Sequence, residues 1–216
     1  MERVTVLQGN KNSNVLVVAP HGPDDQNTGL ICEAIQNLID CYMVVNNGFQ
    51  RSQKVDSLND LANCNSTDHC INDSVVFGEF TKPIINFCKR KPGPCYSMIY
   101  YIHGMGSQIQ EDFILGFGQG AVSDRLTMNI NRADLLKQSI ESVGYNVAFA
   151  TPGGPYSARK TDNLTQLFRT SKFGYASKYV ECVQIEISNR VRSNPAKLAL
   201  NIASVLEKTA ESVVRA

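Results

Sequence analysis

The sequence predicts an α/β fold of three layers, in which a mixed, largely parallel central sheet lies between two layers of helices. Short apolar runs rich in β-branched residues, such as Val15–Ala19, alternate along the chain with longer segments of helical spacing. The runs are continuous rather than alternating, which is typical of strands covered on both faces. The length of 216 residues fits one domain spanning residues 1–216.

Helix and strand signals set the order of the elements. Thr28 is suited to cap a first helix, Asn131 a second one that ends at Gly144, and Asn194-Pro195 starts the last. The predicted elements are, in chain order, strands at 4–8 and 15–19 paired as a hairpin, a helix at 29–40, a strand at 42–45, a polar loop at 52–78, a helix at 80–89, strands at 97–103 and 112–117, a helix at 132–143, a strand at 145–150, a helix at 163–169, a strand at 179–187 and a helix from 194.

Composition excludes several classes of protein. The net charge is +1, which gives no electrostatic case for binding nucleic acid or an acidic membrane. No apolar run is long enough to span a bilayer. The N-terminus has no signal-peptide core, and the seven cysteines form no Cys-x-x-Cys pair, so we expect a cytoplasmic protein without a disulfide framework. The oligomeric state stays open.

Two histidines follow buried strands and precede a glycine. His21 follows the Val15–Ala19 run, with Asp24 and Asp25 close behind, and His103 ends the apolar run that starts at Ser97. Two histidines and one carboxylate form the three-ligand pattern of catalytic zinc, so the pattern predicts a Zn²⁺ site of His21, Asp24 and His103. Sequence does not separate Asp24 from Asp25 as the ligand. The alternative to metal binding is a polar turn for His21 and Asp24, and a strand-end histidine bonded to backbone for His103.

The third histidine gives a weaker signal. His69 lies in the segment from Cys64 to Cys70, whose spacing matches no common metal site.

Glu186 is the predicted catalytic acid or base. It lies on the same face of an apolar strand as Val180, Cys182 and Gln184. A carboxylate at that depth is costly unless it is paired or works beside a metal. The alternative is a structural salt bridge to a nearby arginine.

Basic and aromatic residues supply candidates for substrate binding. Gly153-Gly154 permits close backbone approach, and Tyr156, Arg159 and Lys160 follow it. Arg51 and Arg125 are further candidates, because a guanidinium suits a substrate carboxylate. The alternative for each is a solvated surface charge.

Four stretches resemble the N-formylglutamate amidohydrolase family, within the zinc-carboxypeptidase-like amidohydrolases. They are Ala19-Pro-His-Gly-Pro-Asp24, Tyr101-Ile-His103-Gly, Gly144-Tyr-Asn-Val followed by Thr151-Pro-Gly-Gly, and Val183-Gln-Ile-Glu186-Ile-Ser. The resemblance implies a carboxypeptidase-like fold, zinc held by His21, Asp24 and His103, and Glu186 as acid/base. The family's Asp-Leu-Asn-Arg segment, whose arginine meets the substrate carboxylate, is matched here only by Asp60-Leu-Ala-Asn63-Cys64. We expect Asn63 of this segment to face the substrate.

These observations predict a zinc-dependent hydrolase that cleaves an amide bond, peptide or non-peptide, in a carboxylate-bearing substrate such as an N-acyl amino acid or short peptide. A serine or cysteine hydrolase is disfavoured, since no Gly-x-Ser-x-Gly elbow occurs. A non-catalytic binding or structural protein that retains the fold is the alternative from another class.

Overall fold

The computed structural model describes residues 2–51, 60–89, 97–106, 108–120, 126–173 and 179–212. The strands are β1 (Val4–Leu7), β2 (Val15–Ala19), β3 (Tyr42–Asn46), β4 (Phe49–Gln50), β5 (Asp60–Leu61), β6 (Ser97–Met105), β7 (Phe113–Gly116), β8 (Val147–Phe149) and β9 (Val180–Ser188). The α-helices are α1 (Thr28–Ile39), α2 (Thr67–Asn72), α3 (Ser74–Val76), α4 (Lys82–Lys89), α5 (Ile130–Ser142), α6 (Asn189–Arg192) and α7 (Pro195–Glu211). A π-helical turn covers Phe77–Thr81 and a 3₁₀ segment covers Leu164–Arg169.

The central sheet has seven strands in the order β1-β3-β2-β6-β9-β7-β8. The pairs β2–β3, β2–β6, β6–β9 and β7–β8 are parallel, whereas β1–β3 and β7–β9 are antiparallel. The sheet is therefore mixed and largely parallel, as predicted.

Both faces of the sheet are covered, because alternate residues of each central strand enter different apolar clusters. In β2, Val15 and Val17 pack with α1, α5 and α7 on one face. Leu16 and Val18 pack with α4, the π-helical turn and the 3₁₀ segment on the other. This arrangement explains why the strand is a continuous apolar run, and it confirms the three-layer α/β/α prediction.

The predicted hairpin between the first two strands is wrong. β1 pairs antiparallel with β3 instead, because β2 lies inside the sheet with β3 on one side and β6 on the other. The polar loop predicted over 52–78 is also too long, since helix α2 begins at Thr67.

The three central parallel strands carry the predicted site to one edge of the sheet. His21 follows β2, and His103 and Glu186 lie near the carboxyl ends of β6 and β9, where they are register partners. The chain leaves β2 for β3 on one side and later returns to β6 on the other, so this edge is a topological switch point, where open α/β sheets bind ligands. Among the described helices, none is long and apolar enough to cross a membrane.

Candidate metal centre

The turn after β2 presents His21 and Asp25 to the same side. The backbone N–H of Asp25 donates to the His21 carbonyl at 2.7 Å, which closes a single helix-like turn. Residues four apart on such a turn face one way. The carbonyl of Asp25 then accepts from the hydroxyl of Thr28 at 2.8 Å, which ties the turn to the start of α1.

His103 completes the cluster from the neighbouring strand. Oδ2 of Asp25 lies 3.4 Å from Nδ1 of His21 and 3.5 Å from Nδ1 of His103. The three residues are between 2% and 6% exposed. Ligands held about 2.1 Å from a tetrahedral ion are roughly 3.4 Å apart, so this spacing matches that of a zinc coordination shell.

The residues present fit a metal ion. Nδ1 of His21 is buried and has no hydrogen-bond partner, as expected of a nitrogen that ligates. Burial lowers the pKa of His103 to about 4, so its ring is neutral at pH 7, which is the form that binds metal. Burial raises the pKa of Asp25, but the neighbouring imidazoles of His103 and His21 outweigh this effect and hold that pKa far below its usual range.

The structure groups Asp25, rather than Asp24, with the two histidines. Oδ2 of Asp24 accepts the backbone N–H of Arg51 at 2.9 Å, and Nη2 of Arg51 lies 3.3 Å from Oδ1 of Asp25. The helix-like turn aligns residues 21 and 25, and it therefore brings Asp25, rather than the predicted Asp24, to the two histidines. Arg51 is half-exposed and contacts this acidic pair, and Arg125 lies outside the described residues.

Asn63 contacts a histidine of the cluster directly. Its Oδ1 lies 2.9 Å from Nε2 of His21 and also accepts the N–H of Asn65 at 3.0 Å. With His21 in the Nε2–H tautomer, Nε2 donates to Asn63 and Nδ1 is left free for a metal. Asn63, predicted to face the substrate, thus also orients a predicted ligand.

Glu186 is held by a chain of amide side chains. Nε2 of Gln184 donates to its Oε1 at 2.6 Å, and Nδ2 of Asn163 donates to Oε1 of Gln184 at 3.1 Å. Burial, together with the charge of Asp25, raises the pKa of Glu186 to about 8. The environment thus favours a carboxyl group that can hold a proton near neutral pH.

For the residues that it describes, the structure does not show the alternative role of Glu186, a structural salt bridge to a nearby arginine. Arg190 donates to Asp112 at 2.6 Å, and the guanidinium of Arg192 donates to three backbone carbonyls. Neither arginine hydrogen-bonds Glu186 within the described part of the chain.

A cavity of about 500 Å³ lies beside the cluster. Asn63 and Gln184 line it, and they contact His21 and Glu186 respectively. Its opposite wall is the loop that follows β8, which contributes Gly153, Gly154, Pro155, Tyr156, Ser157, Ala158, Arg159 and Lys160. Burial raises the pKa of Tyr156, and so do the charges of Glu186 and Asp25, which places its hydroxyl in their electrostatic field.

Two side chains that contact the candidate site, Gln184 and Asn163, were not among the predicted site residues, and Asp25 was present only as the alternative to Asp24. Gln184 is two residues before Glu186 on one face of β9, so strand periodicity was a signal for it. Asn163 comes from a distant segment, and only the tertiary structure brings it to Gln184.

His69 lies apart from the cluster, where its Nδ1 accepts the N–H of Asn63 at 3.3 Å. Within the described ranges, one group of His, Cys, Asp and Glu side chains converges as metal ligands do, namely His21, Asp25 and His103.

Comparison with solved structures identifies proteins that share this architecture. The chain superposes on N-formylglutamate amidohydrolase from Ralstonia eutropha with a TM-score of 0.62 and 12% identity, over 98% of both chains. A bacteriophage poly-gamma-glutamate hydrolase gives 0.59 and 17%, over 96% of this chain and 87% of the other. The chain thus shares the fold of these two solved hydrolases.

A further neighbour is the zinc-free form of YNDL, with a TM-score of 0.55 and 16% identity over 96% of this chain and 89% of that one. No protein-family model matches the sequence. No curated protein matches it either. The predicted resemblance is thus confirmed at the level of the fold.

Proposed function

We propose that this protein is a metal-dependent hydrolase that cleaves an amide bond in a small or short-peptide substrate bearing a carboxylate. The observation that carries the proposal is the buried cluster of His21, Asp25 and His103, with the Nδ1 atoms of both histidines within 3.5 Å of one carboxylate oxygen. Glu186 beside it supplies the proton-transfer group that such hydrolysis needs. The hydrolase fold of the solved neighbours supports the same class of reaction.

The residues that would hold the metal are His21, Asp25 and His103, and zinc suits two imidazoles and a carboxylate. A metal bound there would lower the pKa of a bound water and polarise the scissile carbonyl.

Glu186 would move the proton. Its Oε1 accepts from Gln184, and Oε2 makes no hydrogen bond to the described residues, so Oε2 is the atom that takes a proton from water and passes it to the leaving nitrogen. Its raised pKa suits the acid half of this cycle, and a nearby cation would favour the ionised form needed for the base half. Gln184 and Asn163 would hold the carboxyl group through Oε1 and leave Oε2 for this role.

The cavity would receive the substrate. Arg159 and Lys160 bring positive charge to its lining, which also includes Asp162. Asn63, Tyr156 and Gln184 add hydrogen-bonding groups. We assign the substrate carboxylate to Arg159 and a hydrogen bond with the substrate to Tyr156. In the N-formylglutamate amidohydrolase family, the arginine of the Asp-Leu-Asn-Arg segment binds the substrate carboxylate. This chain carries Asn63 and Cys64 in that segment, so we assign the role to Arg159.

The test combines metal content with a substrate panel. Elemental mass spectrometry should find about one zinc per wild-type chain, and the panel should include N-formyl and N-acetyl amino acids, γ-glutamyl oligomers and short peptides. Glu186→Gln should keep the metal and lose turnover by about 10²–10⁴-fold, because one proton-transfer group contributes that much. Full turnover in this variant, or turnover that a chelator does not affect, would refute the proposal.

A binding protein that retains the fold is the second candidate. The observation that favours it concerns the segment that carries the substrate-binding arginine in the family. In this chain, Cys64 of that segment is buried, and Asn63 contacts His21 instead of a substrate. It predicts metal in the wild type without hydrolysis of any compound in the panel.

A further inference from the structure

The guanidinium of Arg192 joins three separate segments. It is 6% exposed and belongs to α6, directly after β9. Nε donates to the carbonyl of Ile187 at 2.9 Å, Nη2 donates to that of Met105 at 3.1 Å, and Nη1 donates to that of Gln26. The side chain of Asn27 returns a bond to the carbonyl of Arg192 at 3.0 Å.

Each accepting carbonyl lies just beyond a side chain of the candidate site. Gln26 follows Asp25, Met105 is two residues after His103, and Ile187 follows Glu186. The three segments are the turn after β2 and the carboxyl ends of β6 and β9. One side chain therefore ties together every segment that carries a proposed ligand or the proposed proton-transfer group.

This position requires arginine. A planar guanidinium directs its N–H groups outward in a fixed fork, whereas a lysine has one nitrogen on a flexible stem. Gly104 leaves room for it, since a Cβ there would lie 2.5 Å from Cζ of Arg192. The charge is partly buried near Asp25, whose carboxylate offsets part of the cost of desolvation.

We propose that Arg192 is a positioning residue that holds His21, Asp25, His103 and Glu186 in one constellation. It acts through the backbone of the segments that carry them and touches neither metal nor substrate. The proposal rests on the metal site of the proposed function, but it makes a separate statement about the geometry of the metal-free protein.

Arg132 provides the matched control. It is 4% exposed, donates to the carbonyl of Thr209 at 2.9 Å and lies 2.7 Å from Glu181. These contacts join α5 to the end of α7 and to the start of β9, away from the three site segments. If Arg192 were only a structural arginine, Arg192→Lys and Arg132→Lys would have the same consequences.

The first measurement uses metal-free protein with isotope-labelled histidine, because the chain has only three histidines. In NMR spectra, Arg192→Lys should shift the ring signals of His21 and His103 and leave that of His69 in place. Arg132→Lys should leave all three unchanged. Unchanged His21 and His103 signals in Arg192→Lys would overturn the proposal, whether or not the wild type binds metal.

The second measurement uses Co²⁺ and Zn²⁺ alone as probes. Arg192→Lys should lower zinc affinity by about 10–100-fold, the usual effect of losing support for metal ligands, and should change the visible spectrum of bound Co²⁺. Arg132→Lys should lower thermal stability with affinity and spectrum unchanged. A wild type that binds neither ion would refute the proposed function, whereas normal binding by Arg192→Lys would refute its positioning role.

A milder variant covers the case in which Arg192→Lys does not fold. Asn27→Gly removes the bond to the Arg192 carbonyl and suits the positive φ of 68° at this residue. It should shift the same two histidine signals by a smaller amount. Identical His21 and His103 signals in Asn27→Gly and the wild type would count against the positioning role.

Discussion

At the scale of single residues, two adjacent aspartates have different surroundings. Oδ2 of Asp25 faces both histidines and accepts the N–H of Gly104 at 3.2 Å. Asp24 instead accepts the backbone N–H of Arg51. A negative charge within ligand distance of two imidazoles suits a divalent cation, and of these two aspartates Asp25 supplies it.

We therefore expect losses of zinc affinity of very different size from two conservative variants. Asp25→Asn should lower zinc affinity by more than about 100-fold, since loss of a ligand costs more than loss of its supporting contacts. Asp24→Asn should lower it by less than about tenfold, because the ligands keep their places. Competition titration with a chromophoric chelator measures both, and a larger loss in Asp24→Asn would return the ligand role to that residue.

The raised pKa of Glu186 predicts how the stability of the metal-free protein depends on pH. Its pKa in the folded protein is about 8, against an ordinary value of 4.5. A carboxyl group whose pKa is raised on folding contributes fully to stability below the ordinary value and loses that contribution as the pH rises through the folded value. Metal-free wild type should thus lose up to about 1.4 kcal/mol of unfolding free energy per pH unit between these limits.

The measurement is urea unfolding of metal-free protein from pH 5 to pH 9. Glu186→Gln, which carries no titrating group at this position, should show a correspondingly weaker decline over the same range. Parallel curves for the two proteins would show that Glu186 is not buried in its neutral form.

At the scale of elements, the loop after β8 is supported by close packing against β7. A Cβ on Gly116 would lie 1.8 Å from the carbonyl oxygen of Tyr156. Gly116 is also the register partner of Gln184 on β9. The glycine thus lets the cavity wall approach the strand that carries Glu186, and Tyr156 keeps a left-handed φ of 66° there.

Gly116→Ala should displace this loop. Overpacking of this kind costs about 1–3 kcal/mol of stability, and we expect KM to rise more than kcat falls, because the loop contacts substrate in the proposed mechanism. Gly78→Ala is the control, since a Cβ there meets nothing within 4 Å. Thermal unfolding and steady-state kinetics test both variants, and equal effects would show that the approach of Tyr156 to β7 is unimportant.

At the scale of the whole molecule, a metal would join the segments that end β2 and β6. Binding to the folded state alone stabilises a protein by mass action, by about 2.7 kcal/mol at a free ligand concentration 100 times Kd. Zinc in that excess should raise the melting temperature by roughly 5–10 °C for a chain of this size.

His103→Ala should lose the zinc-dependent increase, whereas His69→Gln, which keeps an acceptor for the Asn63 amide, should retain it. Differential scanning calorimetry with zinc and with chelator measures the difference. A zinc effect that persists in His103→Ala would place the metal elsewhere.

Much of the architecture was predictable because its signals are local. Apolar runs in β2, β6 and β9 mark these strands within a few residues, and Asn194 caps α7 as predicted. The N-caps of α1 and α5 are Asn27 and Asn129, so the predicted caps Thr28 and Asn131 are wrong by one and two residues. The histidines and Glu186 were identifiable because polar residues at the ends of buried strands are costly without a purpose. The organisation as one domain and the cytoplasmic location stay predictions.

Long-range pairing was not predictable in the same way. The hairpin expected between β1 and β2 failed because strand pairing depends on how the entire sheet is filled, and β3 and β6 occupy both edges of β2. The link from Asn163 through Gln184 to Glu186 depends in the same way on a segment that only folding brings near.

The residue types and their periodicity therefore determined the fold class, the positions where strands end and the identification of two histidines as candidate ligands. These features depend on only a few neighbouring residues. Tertiary structure decided that Asp25 rather than Asp24 meets those histidines, that Asn63 supports His21, and that Arg192 joins the three segments. These contacts depend on the direction of side chains from a turn and on packing between distant strands, and neither is encoded in local spacing.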